Sequence, residues 1–487
     1  MTDPGFLSLL PVFVTLAIAL SARNVLVGLF TGVLVGVAMV ADATFLSFLP
    51  ALVGDYVVPE VADSYNASVL VLLAFIGGFV KLVERSGGGT AFAALATRWV
   101  ASRARAELGA WAGGIMIFFS DLGTPLIVGP VFQPLTDRLG VARQKLAFIL
   151  DSTSSPVAIL IPFIGWGVFI MSVIADAFAA NGVALNEWDA FVAAIPYQFY
   201  AWLAIAMVPA LALLGFDYGP MARAQAAAAQ EPAAVALDAP AGNAKPVLVW
   251  LPLAVLCAAL FATLASHGFP FEQVAGADFR AGLSAAYFLA ALTLVALMLY
   301  TGVRSLAETF THYVEGMSGM MPIAATLVLA WTLGTVSEAL GTGAYVAELA
   351  RQGLSGALLP AITFLAAALI SFATGSSWGT IIIMMPLAVP AALATGAVMP
   401  AVIGAVLSGG LFGDHSSPVS ETTILSSTGA ATTPLEHFRT QLPYALTNGA
   451  IAFAGFLLAG YAEIGWIALL AVAAQAATLW FIRRRYA

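Results

Sequence analysis

Apolar runs dominate the chain, and the places where they stop are short clusters of Ser, Thr, Asp, Gly and Pro. Uninterrupted runs cover residues 6–20, 24–41, 67–84, 191–214, 247–266, 282–300, 317–336, 441–460 and 463–482. Each reads as a helix, since about 18 to 20 apolar residues cross roughly 30 Å of hydrocarbon. The other apolar stretches are interrupted. Residues 108–136 place two arms around the polar tip SDLGTP at 120–125, and 357–399 place two arms around ATGSSWGT at 373–380. Residues 144–175 are broken by DSTSSP at 151–156, and 400–430 run from an apolar helix into GDHSSPVSETTILSST at 413–428. This spacing predicts two re-entrant hairpins and two broken helices, because non-helical backbone at membrane depth is tolerated only against protein or a water-filled cavity.

The interruptions come in order twice. GTAFAALA at 89–96 resembles GAYVAELA at 343–350, and SSPV recurs at 154–157 and 416–419, offsets of 254 and 262 residues. The expected fold is an all-α polytopic membrane protein of about eleven transmembrane helices, built from two inverted-topology repeats. The first repeat spans 1–216, a cytoplasmic linker 217–246, the second repeat 247–460, and an extra C-terminal transmembrane helix 461–487. Arg23, Lys81, Arg85 and the terminal Arg483, Arg484 and Arg485 place those ends in the cytoplasm by the positive-inside rule, and the acidic segment 42–66 outside. The N-terminus is then outside, the C-terminus is cytoplasmic, and the compartment is the cell inner membrane. An amphipathic piece at 90–105 is expected on the inner surface.

Composition sharpens the class. Of 487 residues, 61% are hydrophobic and 9% charged, against about 25% charged in soluble domains. The net charge of -8 leaves no basic footprint for nucleic acid, so the expected partner is the lipid bilayer. Cys257 is the single cysteine and can form no internal disulfide. The N-terminus lacks a basic stretch, and no cleavable signal peptide is expected.

Chemistry concentrates in the four polar breaks. Broken helices expose backbone amides at one end and carbonyls at the other, and Ser, Thr and Asp add further oxygens. Such oxygens can replace the water shell of a small hard cation. The candidate ion or substrate ligands are Asp121, Thr124, Asp151, Ser152, Thr153, Thr374, Ser376, Ser377, Asp414, His415, Ser416, Ser417, Glu421 and Thr422. Na+ is expected at Asp121, Asp151 and Asp414. A buried carboxylate holds a proton more readily than a solvated one, so one site can take Na+ or H+ in turn. Asp414 or Asp151 would then couple the fluxes. Simpler readings compete: Asp151 and Asp414 as helix N-caps, Asp121 as a turn residue, Glu421 as a solvated or capping residue, His415 as a hydrogen-bonded structural histidine. By the same reasoning Ser426, Ser427 and Thr428 bond helix backbones, and Trp166 and Trp378, beside the breaks, either line a substrate path or, as the simpler reading, pack in the core. Gly353-Leu354-Ser355-Gly356 matches a GxSG pattern of intramembrane serine proteases, with Ser355 as nucleophile, but it falls in a predicted loop beside Arg351. A transporter is favoured over an enzyme, and over a channel, which would build no gradient.

Three segments, 118–158, 372–388 and 412–430, resemble the NhaC-type Na+/H+ antiporter family of the ion-transporter superfamily. FGDHSSPVSETTILSS at 412–427 is the most specific of them. The resemblance implies exchange of Na+ or another small cation for protons without a cofactor. It also implies a scaffold with a mobile transport domain, commonly as a homodimer, and relatives that exchange small organic solutes such as carboxylates or amino acids. The chain departs from the family pattern at Ser120, where a paired Asp is usual, and at Glu421, where Asp is usual.

Overall fold

The computed structural model describes residues 5–22, 24–41, 47–89, 91, 102–118, 121, 123–230, 244–267, 276–418, 420–462 and 466–486. Among them every regular element is helical. In the first half these are α1 (Leu10–Ala22), α2 (Val25–Val40), α3 (Phe48–Ala51), α4 (Val58–Ala62), α5 (Ser64–Arg85), α6 (Arg103–Met116) and α7 (Gly123–Arg138). They continue with α8 (Arg143–Ser152), α9 (Ser155–Ala158), α10 (Gly165–Ala180), α11 (Glu187–Ala194), α12 (Phe199–Leu214) and α13 (Gly219–Gln230). The second half holds α14 (Val247–Ala265), α15 (Gly276–Thr301), α16 (Leu306–Gly319), α17 (Met321–Ala339), α18 (Thr342–Gly353), α19 (Leu359–Thr374) and α20 (Ser377–Thr395). It ends with α21 (Met399–His415), α22 (Glu421–Gly429), α23 (Pro434–Tyr461) and α24 (Ile467–Tyr486).

Local chemistry sets many of the ends. Asp63 caps α5 by accepting from the Tyr65 and Asn66 amides, and Ser305 with Glu308 forms a reciprocal capping box at α16. Gly375 takes the left-handed conformation (φ 67°) that closes α19, where any side chain would be strained. Among the described residues seven helices are long and apolar enough to cross a membrane, or eight if the bent pair Glu187–Tyr197 and Phe199–Leu214 is one span. The expectation of about eleven spans goes beyond this count because shorter apolar helices, such as Val25–Val40 and Gly165–Ala180, fall under the length a bilayer needs.

Packing sorts the helices into two groups. One gathers α5 with α15 and α16, and α1 with α2 and α17; the other gathers α6–α8, α12 and α19–α24. Between them runs α10, which touches α5, α17 and α20. The predicted hairpin regions are the helix pairs α6/α7 and α19/α20, and the predicted breaks fall between α8 and α10 and between α21 and α22.

Two expectations need adjusting. The acidic segment, expected outside, is helical from Phe48 to Ala62, through a π-helical stretch at Leu52–Val57. The segment expected as a linker is tied down at its start: Gln225 accepts from the Ala142 amide at 3.0 Å, and Asp217 sits among Lys145, Arg103 and Tyr444. Ser120, Arg23, most of the amphipathic piece at 90–105 and the linker beyond Gln230 to 243 lie outside the described residues.

Candidate functional site

The two breaks have the same build. Helix α8 stops at Asp151-Ser152 and α21 at Asp414-His415, and in each a Ser-Pro pair (Ser155-Pro156, Ser417-Pro418) follows. Proline has no amide proton to continue the ladder. Both aspartates therefore lie in last turns. The N-cap reading is wrong for both, because a cap sits at the opposite end of a helix. A carboxylate at a helix C-terminus meets the negative end of the dipole, so capping cannot be what holds these charges in place.

Asp414 is 4% exposed. Its Oδ1 accepts from the Ser420 hydroxyl at 2.5 Å, and its Oδ2 from Ser377 at 3.4 Å and Thr422 at 3.5 Å. The shell thus joins the end of α21, the start of α20 and the start of α22. All three donors are neutral hydroxyls.

Asp151, 1% exposed, has a different shell. Its Oδ2 accepts from Gln441 Nε2 at 2.6 Å and lies 3.3 Å from His437 Nε2 and 3.6 Å from His415 Nε2; Ser426 donates to Oδ1 at 3.4 Å. Gln441 and His437 are one turn apart on α23, so a single helix face supplies two of the partners. Gln441 also donates to the His415 carbonyl. His415 links the two breaks: its Nδ1 is 2.8 Å from the Tyr200 hydroxyl and its Nε2 3.4 Å from Ser152 Oγ. The hydrogen-bonded structural role for His415 matches this geometry. Ser427 and Thr428 bond the Thr423 and Ile424 carbonyls, as their spacing suggests, but Ser426 turns to Asp151 instead.

Asp121 and Glu421 face a cavity of about 390 Å³. Its more buried lining includes Asp121, Trp166, Phe169, Ser376 and Trp378, and its more exposed rim Lys81, Glu84, Glu315 and Glu421. Trp166 donates to Asp121 Oδ2 at 2.8 Å, and Ser155 donates to the same oxygen at 3.4 Å. The Trp378 ring lies 4.6 Å from that of Trp166 and 4.2 Å from that of Phe169, centroid to centroid. Both tryptophans are cavity walls rather than mere core. Glu421 is exposed in the first turn of α22.

The other predicted residues divide. Ser377 and Thr422 serve Asp414, and Ser152 meets His415. Thr124 donates to the Ile117 carbonyl at 2.9 Å across the α6/α7 turn, Thr153 to Ile149, Thr374 to Ile370 and Ser416 to Phe412. Ser376 caps α20 by accepting from the Gly379 amide at 3.2 Å, and Ser417 is buried in the break. Asp121, Asp151 and Asp414 occupy separate shells; among the described residues no group of three or more His, Cys, Asp or Glu side chains is placed to hold a metal ion. Sequence reasoning missed Tyr200, Ser420, His437 and Gln441. His437 and Gln441 stand one turn apart in the polar first turns of α23, among Glu436, Arg439 and Thr440, so their spacing alone did not single them out.

Comparison with known proteins agrees with this architecture. A model of the Na+/H+ antiporter family matches residues 157–461. An uncharacterized protein of Haemophilus influenzae is 31% identical over 486 residues, 96% of this chain and 93% of that one. The malate-2H(+)/Na(+)-lactate antiporter of Bacillus subtilis is 34% identical over 103 residues, only 20% of this chain and 22% of its own. The YdaH transporter of Alcanivorax borkumensis superposes with a TM-score of 0.58 at 15% identity, covering 86% of this chain and 89% of that one. MtrF of Neisseria gonorrhoeae does so with 0.56 at 16%, covering 92% and 94%. The two superpositions speak to the fold. The family match over residues 157–461 and the full-length relative place the chain, a secondary transporter of the membrane, in the Na+/H+ antiporter family.

Proposed function

We propose that this protein exchanges Na+ for protons by alternating access, with Asp414 as the exchange position. The observation that carries this reading is the asymmetry of the two buried carboxylates. Imidazoles and an amide answer Asp151, whereas neutral hydroxyls answer Asp414. A charge taken out of water without a counter-charge is costly by several kcal/mol. Asp414 is therefore stable with a proton or with a small cation among its oxygens, and unstable with neither. That mutual exclusion is what obligatory exchange requires.

Asp151 acts with it by accepting or releasing a proton through His415 and His437. Thr374, Ser376, Ser377 and Ser417 would complete the oxygen shell, with Thr124 at the α6/α7 turn and Asp121 toward the cavity. The scheme places the two halves as inverted repeats, 1–216 and 247–460, in the inner membrane, with the C-terminus cytoplasmic and the protein a homodimer. The helices around α19–α24 would move against those around α5, α15 and α16. The cavity rim carries Lys81, so the positive-inside rule has it facing the cytoplasm.

The test is Na+-driven pH change in proteoliposomes. A Na+ gradient should drive proton flux in wild-type protein, and Asp414→Asn should reduce it to the level of empty liposomes. Normal exchange by that variant would reduce Asp414 to a structural acceptor. No Na+-dependent proton flux under any solute condition would end the antiporter reading.

A second reading has its own support: coupled exchange of a small organic solute. The cavity of about 390 Å³ is in the range of roughly 300–1,000 Å³ that small-molecule sites occupy, far more than one ion needs. The partial likeness to a malate/lactate antiporter points the same way. In this case Na+ or H+ at Asp414 would drive the solute.

A further inference from the structure

We infer that the cavity between Asp121 and Glu421 takes an organic ammonium cation, an inference that rests on the coupled-solute reading and names its substrate class. Charge is the first argument. The lining holds four carboxylates, Glu84, Asp121, Glu315 and Glu421, against one amino group, Lys81. That amino group is at the rim and already engaged, 3.4 Å from Glu84 and 3.7 Å from Glu315, and Arg85 also reaches Glu315 at 3.5 Å, so the carboxylates left to a solute are Asp121 and Glu421. Among the described residues nothing basic lines the depth, so a carboxylate solute would meet like charge there. A like charge at close range in a cleft of low polarity is a strong barrier.

The helix ends do not reverse this. The N-terminus of α20 reaches the cavity, but its cap Ser376 already accepts from the Gly379 amide. The N-terminus of α22 carries Glu421 in its first turn. A helix end is worth about half a positive charge, against a full negative one on each carboxylate. The depth is therefore net negative.

The walls supply the second argument. Trp166, Trp378 and Phe169 form a chain of three rings, the outer pairs 4.6 and 4.2 Å apart, and Ile76 and Leu73 continue the apolar surface. A bare inorganic ion gains little from such walls. An alkylated ammonium gains both from burial of its methyl or methylene groups and from the aromatic faces, and quaternary ammonium recognition is the familiar use of that pairing. Trp166 is held in place because its Nε1 donates to Asp121 at 2.8 Å. Carboxylate and ring therefore form one rigid corner. Glu421, exposed and set across the cavity in the first turn of α22, is free to approach a second positive group or the same one.

The volume fits this class. At about 30 Å³ per water, about 390 Å³ holds on the order of a dozen waters, room for a short-chain amine with part of its hydration.

The experiment uses purified full-length protein and radiolabelled choline, whose fixed charge cannot cross the bilayer as a neutral base. Binding is measured at constant ionic strength set with potassium chloride, with malate and lactate as competitors. Saturable choline binding is expected, displaced by other alkylammonium ions and unaffected by malate or lactate. Glu421→Gln and Trp378→Leu should each weaken it at least tenfold, while Trp378→Phe, which keeps an aromatic face, should stay within threefold. Should Trp378→Leu fail to fold, the comparison of Glu421→Gln with Trp378→Phe decides. Absence of saturable choline binding, displacement by malate or lactate, or wild-type binding by Glu421→Gln would overturn the inference. Na+-driven proton flux in the same preparation separates the two proposals. Flux without choline binding removes the ammonium site and leaves the antiporter; choline binding without flux does the reverse.

Discussion

Replacing Asp217 with Ala should be among the most destabilising single changes available in this chain. Asp217 lies between α12 and α13, and its side chain is 2% exposed; Lys145, at the start of α8, is 0% exposed. Lys145 Nζ donates to Asp217 Oδ1 at 2.5 Å, Tyr444 donates to the same oxygen at 2.7 Å, and Arg103 reaches Oδ2. Burial alone would raise the Asp217 carboxyl, but Lys145, Tyr444 and Arg103 overcome it and hold it below the usual carboxylate range. The alanine variant leaves the Lys145 ammonium buried without its carboxylate, beside the Phe148 and Tyr444 rings at 5.6 and 5.5 Å. Breaking a buried pair this way costs about 3–5 kcal/mol, whereas replacing both members by apolar groups is often close to neutral. Asp217→Ala should therefore unfold well before wild type when heated in detergent, and Lys145→Met/Asp217→Ala should recover most of the loss.

The pH dependence carries the same sign. A carboxyl with a depressed folded pKa stabilises the protein fully above its unfolded value, about 4, and that stability is lost as pH falls through the lower folded value. The gap between wild type and Asp217→Asn should be constant near neutrality and close below about pH 4. An Asp217→Ala protein as heat-resistant as wild type, or a double variant no better than the alanine variant, would refute the reasoning.

Other outcomes follow from the site. Gly129→Ala places a methyl against the Gly429 carbonyl, where α7 and α22 touch backbone to backbone; overpacking of this kind costs about 1–3 kcal/mol, and exchange should fall because α22 carries Thr422 and Ser426. Trp166→Phe removes the donor to Asp121 and should change the apparent Na+ or solute affinity severalfold with little change in thermal stability, read from flux against concentration. Gln441→Leu strips one donor from both Asp151 and the His415 carbonyl; a cost of about 1–3 kcal/mol should appear in unfolding, with loss of exchange, while unchanged flux would show that Asp151 needs only its histidines. Tyr200→Phe takes the hydroxyl from His415 Nδ1 and should shift the pH profile of exchange; an unaltered profile would remove His415 from the proton path.

What the sequence alone determined is what short-range chemistry governs. Long apolar runs read as helices, and the longest of them as membrane spans. Proline and serine after Asp151 and Asp414 can only interrupt them, and the recurrence of SSPV pairs the two breaks. The all-helical fold, the transporter class and most of the Asp414 cluster were readable on that basis. Tertiary structure decided the rest. Whether an aspartate between a helix and a Ser-Pro pair ends one helix or starts the next depends on a hydrogen-bond ladder, and here both end one. Which donors answer which carboxylate depends on helices far apart in sequence: Ser377 and Asp414 meet because α20 packs on α21, and Gln441 reaches Asp151 across 290 residues because α23 packs on α8. Trp166 and Trp378 have the composition of core residues, and only the gap left between α10, α20 and α5 makes them the walls of a cavity. Hydrophobic pattern specifies which face of a helix is buried, but it does not specify against what.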